Sequence, residues 1–383
     1  MIGANCAAGP PINRAQPHLT SDQRQPRSRG GSPGESAGAL VSLQTGRGLA
    51  AVAVAAFHLS LAMGDLAFGG NGVRPFADIV GRGYLGVDFF FVLSGFIILQ
   101  AHDADVGQLG RAGRYVMRRF MRIYPIYWIY LTACVVGMAI VGSSHLRLSS
   151  ATDLVTMYGL VRITPVELPL AQAWTLFHEV VFYAIFAVLL LNLRLGLAVL
   201  GLWAIAIVLN FQYAEADWHS FRSAVLAADN LNFLVGMLAF LAIHRMSKAV
   251  AWVGLFLALG LFGVTYHLAT NSAAPAAIRL GYGVSFGALL SSAVVLERLR
   301  AFHLPPWLGF VGDASYSIYL LHEHVENYTL RALMKVGIVP SSAPSVLFVV
   351  VLAMTVLAGC AAYVLLERPL LRKLRARFDK PRV

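Results

Sequence analysis

Gly83-Tyr84-Leu85-Gly86-Val87-Asp88-Phe89-Phe90-Phe91-Val92-Leu93-Ser94-Gly95-Phe96-Ile97-Ile98-Leu99-Gln100-Ala101-His102 contains one carboxylate in an otherwise apolar or small-residue run. Wound as an α-helix at about 1.5 Å per residue, it is long enough to cross a hydrocarbon layer of about 30 Å. Comparable runs recur on both sides of it. The candidate spans are about 47–66, 83–102, 123–142, 173–192, 195–212, 229–244, 250–269, 278–296, 308–327 and 344–366. The runs are continuous, whereas barrel strands give alternating segments of about ten residues. A helix satisfies its own backbone hydrogen bonds in lipid, so the expected fold is all-α. It is a polytopic integral membrane helical bundle of about ten transmembrane helices.

Composition agrees. Of 383 residues, 58% are hydrophobic and only 13% charged, and mean hydropathy is +0.67. A soluble domain carries about 25% charge, because its surface must face water. Cys6, Cys134 and Cys360 are scattered without metal-ligand spacing, so neither a disulfide framework nor a metal site is expected.

Residues 1–40 are rich in Pro, Gly, Ser and Arg and read as a disordered tail without the apolar core of a signal peptide. A start codon lying further downstream is the plain alternative. With the N-terminus inside, most of the 30 Lys and Arg fall in cytoplasmic segments. They cluster before Arg47, from Arg111 to Arg122, around Arg245 and Arg298, and in the tail from Arg368. By this bias both termini are cytoplasmic, and residues 373–383 form a basic cytoplasmic tail. Anionic lipid and topology account for the net charge of +11, and no nucleic acid is called for.

Ionisable groups inside apolar spans are costly and each is a functional candidate. His58 follows Arg47 by eleven residues, which returns to the same helix face about 16 Å deeper. A cation at the mouth and an imidazole near mid-membrane suit an anionic ligand with a reactive end; interhelical packing explains His58 equally well. Asp88 and Ser94 lie on the quoted stretch, where Ser94 and Gly95 admit a close neighbour, helix or ligand. Arg118, Arg119 and Arg122 precede Tyr124-Pro125 and read as an interfacial helix, holding phosphates or anchoring topology. Trp174-Thr175-Leu176-Phe177-His178-Glu179 opens a further span, with Trp174 at the interface and Glu179 about 8 Å below it. Ser315, Tyr316, Ser317 and Tyr319 line a channel or back-bond within their own helix, with His322 near the outer end.

Taken in order, these motifs are similar to those of the membrane-bound acyltransferase family 3, bacterial O-acetyltransferases of surface polysaccharides, glycolipids and secondary metabolites. The resemblance runs from about Arg47 to Pro369, within an acyltransferase transmembrane domain over 41–372. It rests on Arg47-x10-His58, Gly86-Val87-Asp88-Phe89-Phe90 to Ser94-Gly95-Phe96, and Arg119-x-x-Arg122 with Tyr124-Pro125. Trp174-Thr175-Leu176 with Glu179 and Phe182-Tyr183, Ser315-Tyr316-Ser317 to His322, and Glu367-Arg368-Pro369 complete it. The Trp174 segment looks most like the exopolysaccharide acetyltransferase branch. Many relatives carry a second acidic residue where Val180 stands.

The resemblance implies a bacterial inner-membrane enzyme with acyl-CoA, usually acetyl-CoA, as donor and no metal. It implies that His58 is catalytic and that Arg47, Arg119 and Arg122, with Arg118 beside them, meet the CoA phosphates. Glu179 and Asp88 are expected to support the chemistry. Ser94, Trp174, Tyr183, Tyr316 and His322 are expected to bind substrate, with a carbohydrate or glycolipid as acceptor and lipid around the bundle. An imidazole titrating near pH ~6.5 can take the proton of an attacking hydroxyl, typically worth about 10²–10⁴-fold; transfer through an acyl-histidine is the other route. A different class of function also fits the polar residues, a proton-coupled transporter or flippase relaying protons through His58, Asp88 and Glu179.

Overall fold

The computed structural model describes residues 40–141, 150–211, 220–269 and 275–378, and the expected N-terminal tail lies outside them apart from Leu40. Ten main helices overlap the ten expected spans, although the ninth, expected at 308–327, is split between a short helix Pro306–Asp313 and a longer one displaced to Ser315–Lys335. They are α1 (Val41–Gly64), α2 (Gly86–His102), α3 (Leu109–Val141), α4 (Trp174–Leu191) and α5 (Leu193–Leu209). Then come α6 (Leu231–Ile243), α7 (Lys248–Leu268), α8 (Pro275–Arg298), α9 (Ser315–Lys335) and α10 (Pro344–Ala362). Among the described residues eight segments are long and apolar enough to cross a membrane. The other two expected spans are α5, only 17 residues long, and α9, whose polar side chains lower its hydropathy. The chain is an all-helical membrane protein.

Helix α1 is the hub, packing against α2, α8, α9, α10 and the short helix Pro306–Asp313. Its N-terminus has no cap of its own. Instead the Glu297 carboxylate of α8 accepts from the N–H groups of Val41 (2.7 Å) and Ser42 (2.9 Å). These donors have no partner within the helix, and a carboxylate at that end also meets the positive pole of the dipole.

Helices α2 and α6 cross at glycines. A Cβ on Gly95 would stand 2.0 Å from the Phe233 carbonyl oxygen, and one on Gly236 only 1.8 Å from that of Val92. The small residues beside Ser94 therefore admit a helix, while Ser94 itself turns to a cavity. At the periphery, 17% of the α7 span is buried, so its Val253, Phe256 and Leu257 are left to face lipid.

Two local departures from regular helix set up the site. The interfacial helix expected before the third span is continuous with it, one 33-residue helix containing Pro125. Beyond α10, Tyr363–Glu367 winds as a π turn before the helix Arg368–Phe378. Pro369 has no N–H to offer the Leu365 carbonyl, and the widened turn delivers the fully buried Glu367 carboxylate into the bundle.

Candidate active site

Two cavities meet inside the bundle, bordered in common by Val87 and Tyr319. The first, about 860 Å³ of empty space including its mouth, is lined by Arg47, Arg119 and Arg122 together with Ser94, Glu179, Tyr183 and Tyr316. Arg122 Nη1 donates to Glu367 Oε1 at 2.8 Å, and its guanidinium lies 5.4 Å from the Tyr316 ring centroid. Ser317 donates to the other Glu367 oxygen at 2.7 Å and in turn accepts from Tyr130 at 2.8 Å. Arg119 Nη2 lies 3.3 Å from His102 Nε2, and His102 Nδ1 lies 3.0 Å from Asp105. A guanidinium only donates, so His102 carries its proton on Nδ1 and donates a hydrogen bond from there to Asp105. Arg119 Nε is buried and makes no hydrogen bond. Arg47 Nη1 reaches Gln44 Oε1 at 3.3 Å. Glu179 Oε1 accepts from Ser94 Oγ at 3.2 Å and from the Tyr183 hydroxyl. Arg118 is exposed and does not line this cavity.

The second cavity, about 1360 Å³ on the same measure, holds His58, Tyr84, Arg162, Glu167, Gln172, Trp174, Arg279 and Glu323. His58 Nδ1 lies 2.9 Å from the Val54 carbonyl and 3.2 Å from His322 Nε2. His322 Nδ1 lies 2.7 Å from the Tyr319 carbonyl. A carbonyl only accepts, so both imidazoles carry their proton on Nδ1, and His322 Nε2 accepts from His58. The lone pair of His58 is thereby placed on Nε2, 3.5 Å from Glu323 Oε1. The histidine tautomer is set by a backbone carbonyl and a second histidine, and the carboxylate stands at the nitrogen that would take up a proton.

Ligand atoms of His58, His322 and Glu323 lie within 4.8 Å of one another, close enough for a shared cation. The two imidazoles are hydrogen-bonded to each other, which engages His322 Nε2 and leaves His58 Nε2 and the Glu323 carboxylate facing one another.

The partition between the cavities is also held by hydrogen bonds. Thr175 Oγ1 donates to the Gln172 carbonyl at 3.0 Å, and the Tyr319 hydroxyl donates into the same pair, 3.2 Å from Thr175 Oγ1 and 3.3 Å from that carbonyl. Phe90 packs edge-on against the Tyr319 ring, 5.5 Å between centroids.

The structure thus divides the residues singled out in the sequence. Arg47, Arg119, Arg122, Ser94, Glu179, Tyr183 and Tyr316 share one cavity, while His58 and Trp174 line the other, with His322 buried behind His58. Glu179 sits with the arginines rather than with His58. Asp88, expected beside the chemistry, lines neither cavity. It is fully buried, accepting from Asn232 at 3.0 Å and from Arg279 at 3.4 Å, and Arg279 also pairs with Asp229 at 2.9 Å. Burial without solvent forces such a carboxylate to find partners, and here they lock α2 to α6 and α8. Glu323, Gln172 and Arg279 escaped the sequence reading. The only signals were adjacency, Glu323 following His322 and Gln172 two residues before Trp174.

The family model for the acyltransferase 3 proteins, an acyltransferase domain, matches residues 40–364. The chain belongs to that family. Exopolysaccharide production protein ExoZ of Rhizobium meliloti (strain 1021) is 32% identical over 314 residues, spanning 77% of this chain and 92% of that protein. No solved structure matches significantly. In this acyltransferase the matched region takes in both cavities and ends within the π turn, so Glu367 lies just beyond it.

Proposed function

We propose that the protein is an inner-membrane O-acyltransferase that moves an acyl group, acetyl in the simplest case, from cytoplasmic acyl-CoA to a hydroxyl of an exopolysaccharide unit. The kinship with an exopolysaccharide production protein supports the acceptor class. The charge balance of the cavities supports the assignment of substrates. Three arginines and one glutamate line the first, which suits a polyanionic phosphate-bearing donor. Two arginines and two glutamates line the second, which suits an acceptor without large net charge, and Trp174 offers it a stacking face.

The observation that carries the reading is the fixed tautomer of His58, which leaves Nε2 as a base beside the partition at which the arginine cavity ends. The donor's phosphates rest on Arg47, Arg119 and Arg122 and its thioester reaches the Val87–Tyr319 border. The acceptor hydroxyl gives its proton to His58 Nε2 as its oxygen attacks the thioester carbon. The imidazolium so formed faces Glu323, and the proton then goes to the departing thiolate. Glu179, held by Ser94 and Tyr183, shapes the donor side. With the basic segments inside, both termini lie in the cytoplasm and the arginine cavity opens there.

Purified protein incubated with radiolabelled acetyl-CoA and an exopolysaccharide repeat unit tests this. His58→Ala should lower transfer by about 10²–10⁴-fold while the protein remains folded. Wild-type rates in that variant would remove His58 from the mechanism.

A further inference from the structure

A base and a donor clamp leave one requirement of acyl transfer unmet: a hydrogen-bond donor for the carbonyl oxygen as it gains charge. Gln172 is 3% exposed, and neither its Nε2 nor its Oε1 has a hydrogen-bond partner. It is the only residue among those described with both side-chain polar atoms buried and unpartnered. Exchanging the two atoms of the amide leaves that conclusion unchanged. Of the orphaned hydroxyls elsewhere, those of Thr45, Ser292 and Thr355 lie within helices where a rotation reaches the carbonyl one turn back. An amide carrying a donor and an acceptor has no such remedy at this position. Burying it unpaired is costly unless a ligand completes it.

Its place is equally specific. Gln172 lines the cavity that holds His58 and Glu323. Its own carbonyl receives the Thr175 hydroxyl, and the Tyr319 hydroxyl donates into the same knot. Thr175 lines the arginine cavity, and Tyr319 borders both. The backbone of Gln172 is therefore pinned at the partition while its amide remains unspent. Of the other nitrogen donors in the cavity, Arg279 is anchored by Asp88 and Asp229, and Arg162 donates to the Val166 carbonyl at 3.1 Å.

We propose that Gln172 is the oxyanion-binding residue of the transfer reaction, donating from Nε2 to the thioester carbonyl oxygen when the acyl end of the donor passes Tyr319. This rests on the acyltransferase reading of the His58 cavity. The acceptor oxygen forms the new C–O bond, its proton passes to His58 Nε2, and the electron pair of the C=O moves onto the oxygen facing Gln172. Collapse of that intermediate breaks the C–S bond, and the thiolate takes the proton from His58. Atoms and charge balance with no other reactant.

Gln172→Met keeps length and bulk without hydrogen bonds, and Gln172→Glu keeps shape but loses the donor. Both should lower kcat for acetyl transfer by about 10²–10³-fold, the usual effect of removing one oxyanion donor. The KM for acetyl-CoA and the thermal shift produced by CoA should stay within about threefold of wild type, because the arginine cavity is intact. A residue needed only for packing predicts the reverse, with Met tolerated and Glu damaging. Methionine and glutamate variants that both keep kcat within threefold, or a methionine variant alone that does, overturn the assignment. His58→Ala is run beside them. If it loses transfer while Gln172→Met does not, only the oxyanion assignment fails. If it transfers at the wild-type rate, the acyltransferase scheme fails and takes the assignment with it.

Discussion

In the proposed mechanism His58 is oriented by the Val54 carbonyl one turn back and by a neighbour 264 residues away in the chain. His322 Nε2 accepts from His58 Nδ1 only because the Tyr319 carbonyl holds the His322 proton on the other nitrogen. His322→Phe removes one of the two acceptors facing His58 Nδ1 and leaves the Val54 carbonyl alone to hold the ring, whereas His322→Gln retains a carbonyl at similar reach. Transfer should fall by about 10²-fold or more in the phenylalanine variant, with partial recovery in the glutamine variant. Equal loss in both, measured as kcat with folding confirmed, would show that the histidine does more than orient its partner. Because His322 Nε2 is engaged by His58 and the proposed mechanism uses no metal, EDTA should leave the purified enzyme's rate unchanged. A rate abolished by EDTA and restored by Zn²⁺ would assign His58, His322 and Glu323 to a metal instead. Spacing along α1 made Arg47 and His58 legible as two depths of one face. Nothing in the sequence reveals which cavity Glu179 joins or that Asp88 is spent on Asn232 and Arg279, because both outcomes depend on contacts between distant helices.

At the scale of elements, hydropathy was sufficient for most spans, since lipid imposes length and apolarity on each helix separately. It is weakest at α9, where Glu323, Glu326, Arg331 and Lys335 depress the average and the helix runs eight residues beyond the expected end at 327. Helix contacts obey subtler rules. Gly236→Ala places a methyl 1.8 Å from the Val92 carbonyl oxygen and must push α2 and α6 apart, whereas Gly201 and Gly260 have nothing within 4 Å. Overpacking of this kind costs about 1–3 kcal/mol. Thermal unfolding in detergent should show a lowered midpoint for Gly236→Ala and none for Gly201→Ala; equal midpoints would mean the helix crossing is looser than described. Glu297→Gln tests the borrowed cap of α1 in the same way, with an expected loss of about 0.5–2 kcal/mol.

Across the whole molecule, the two cavities divide the polar residues into two sets. The arginines line one and His58 the other, with Val87 and Tyr319 on their shared border, and the proposed function requires that donor and acceptor enter from opposite faces and meet at that border. Such an arrangement explains why the reaction belongs in a helical bundle: closed helices keep polar conduits while their outer faces remain apolar. It also yields a prediction that a soluble enzyme would not share. In sealed inverted vesicles, whose cytoplasmic face is outward, acetyl-CoA added outside should drive transfer to acceptor enclosed in the lumen. In vesicles of the opposite orientation the same addition should give none until the membrane is permeabilised. Arg47→Gln or Arg119→Gln should raise the KM for acetyl-CoA about tenfold in the inverted vesicles, the loss of one charge-assisted phosphate contact. Equal transfer in both orientations without permeabilisation would mean that the arginine cavity is open to both faces, and the partition at Tyr319 would then separate nothing.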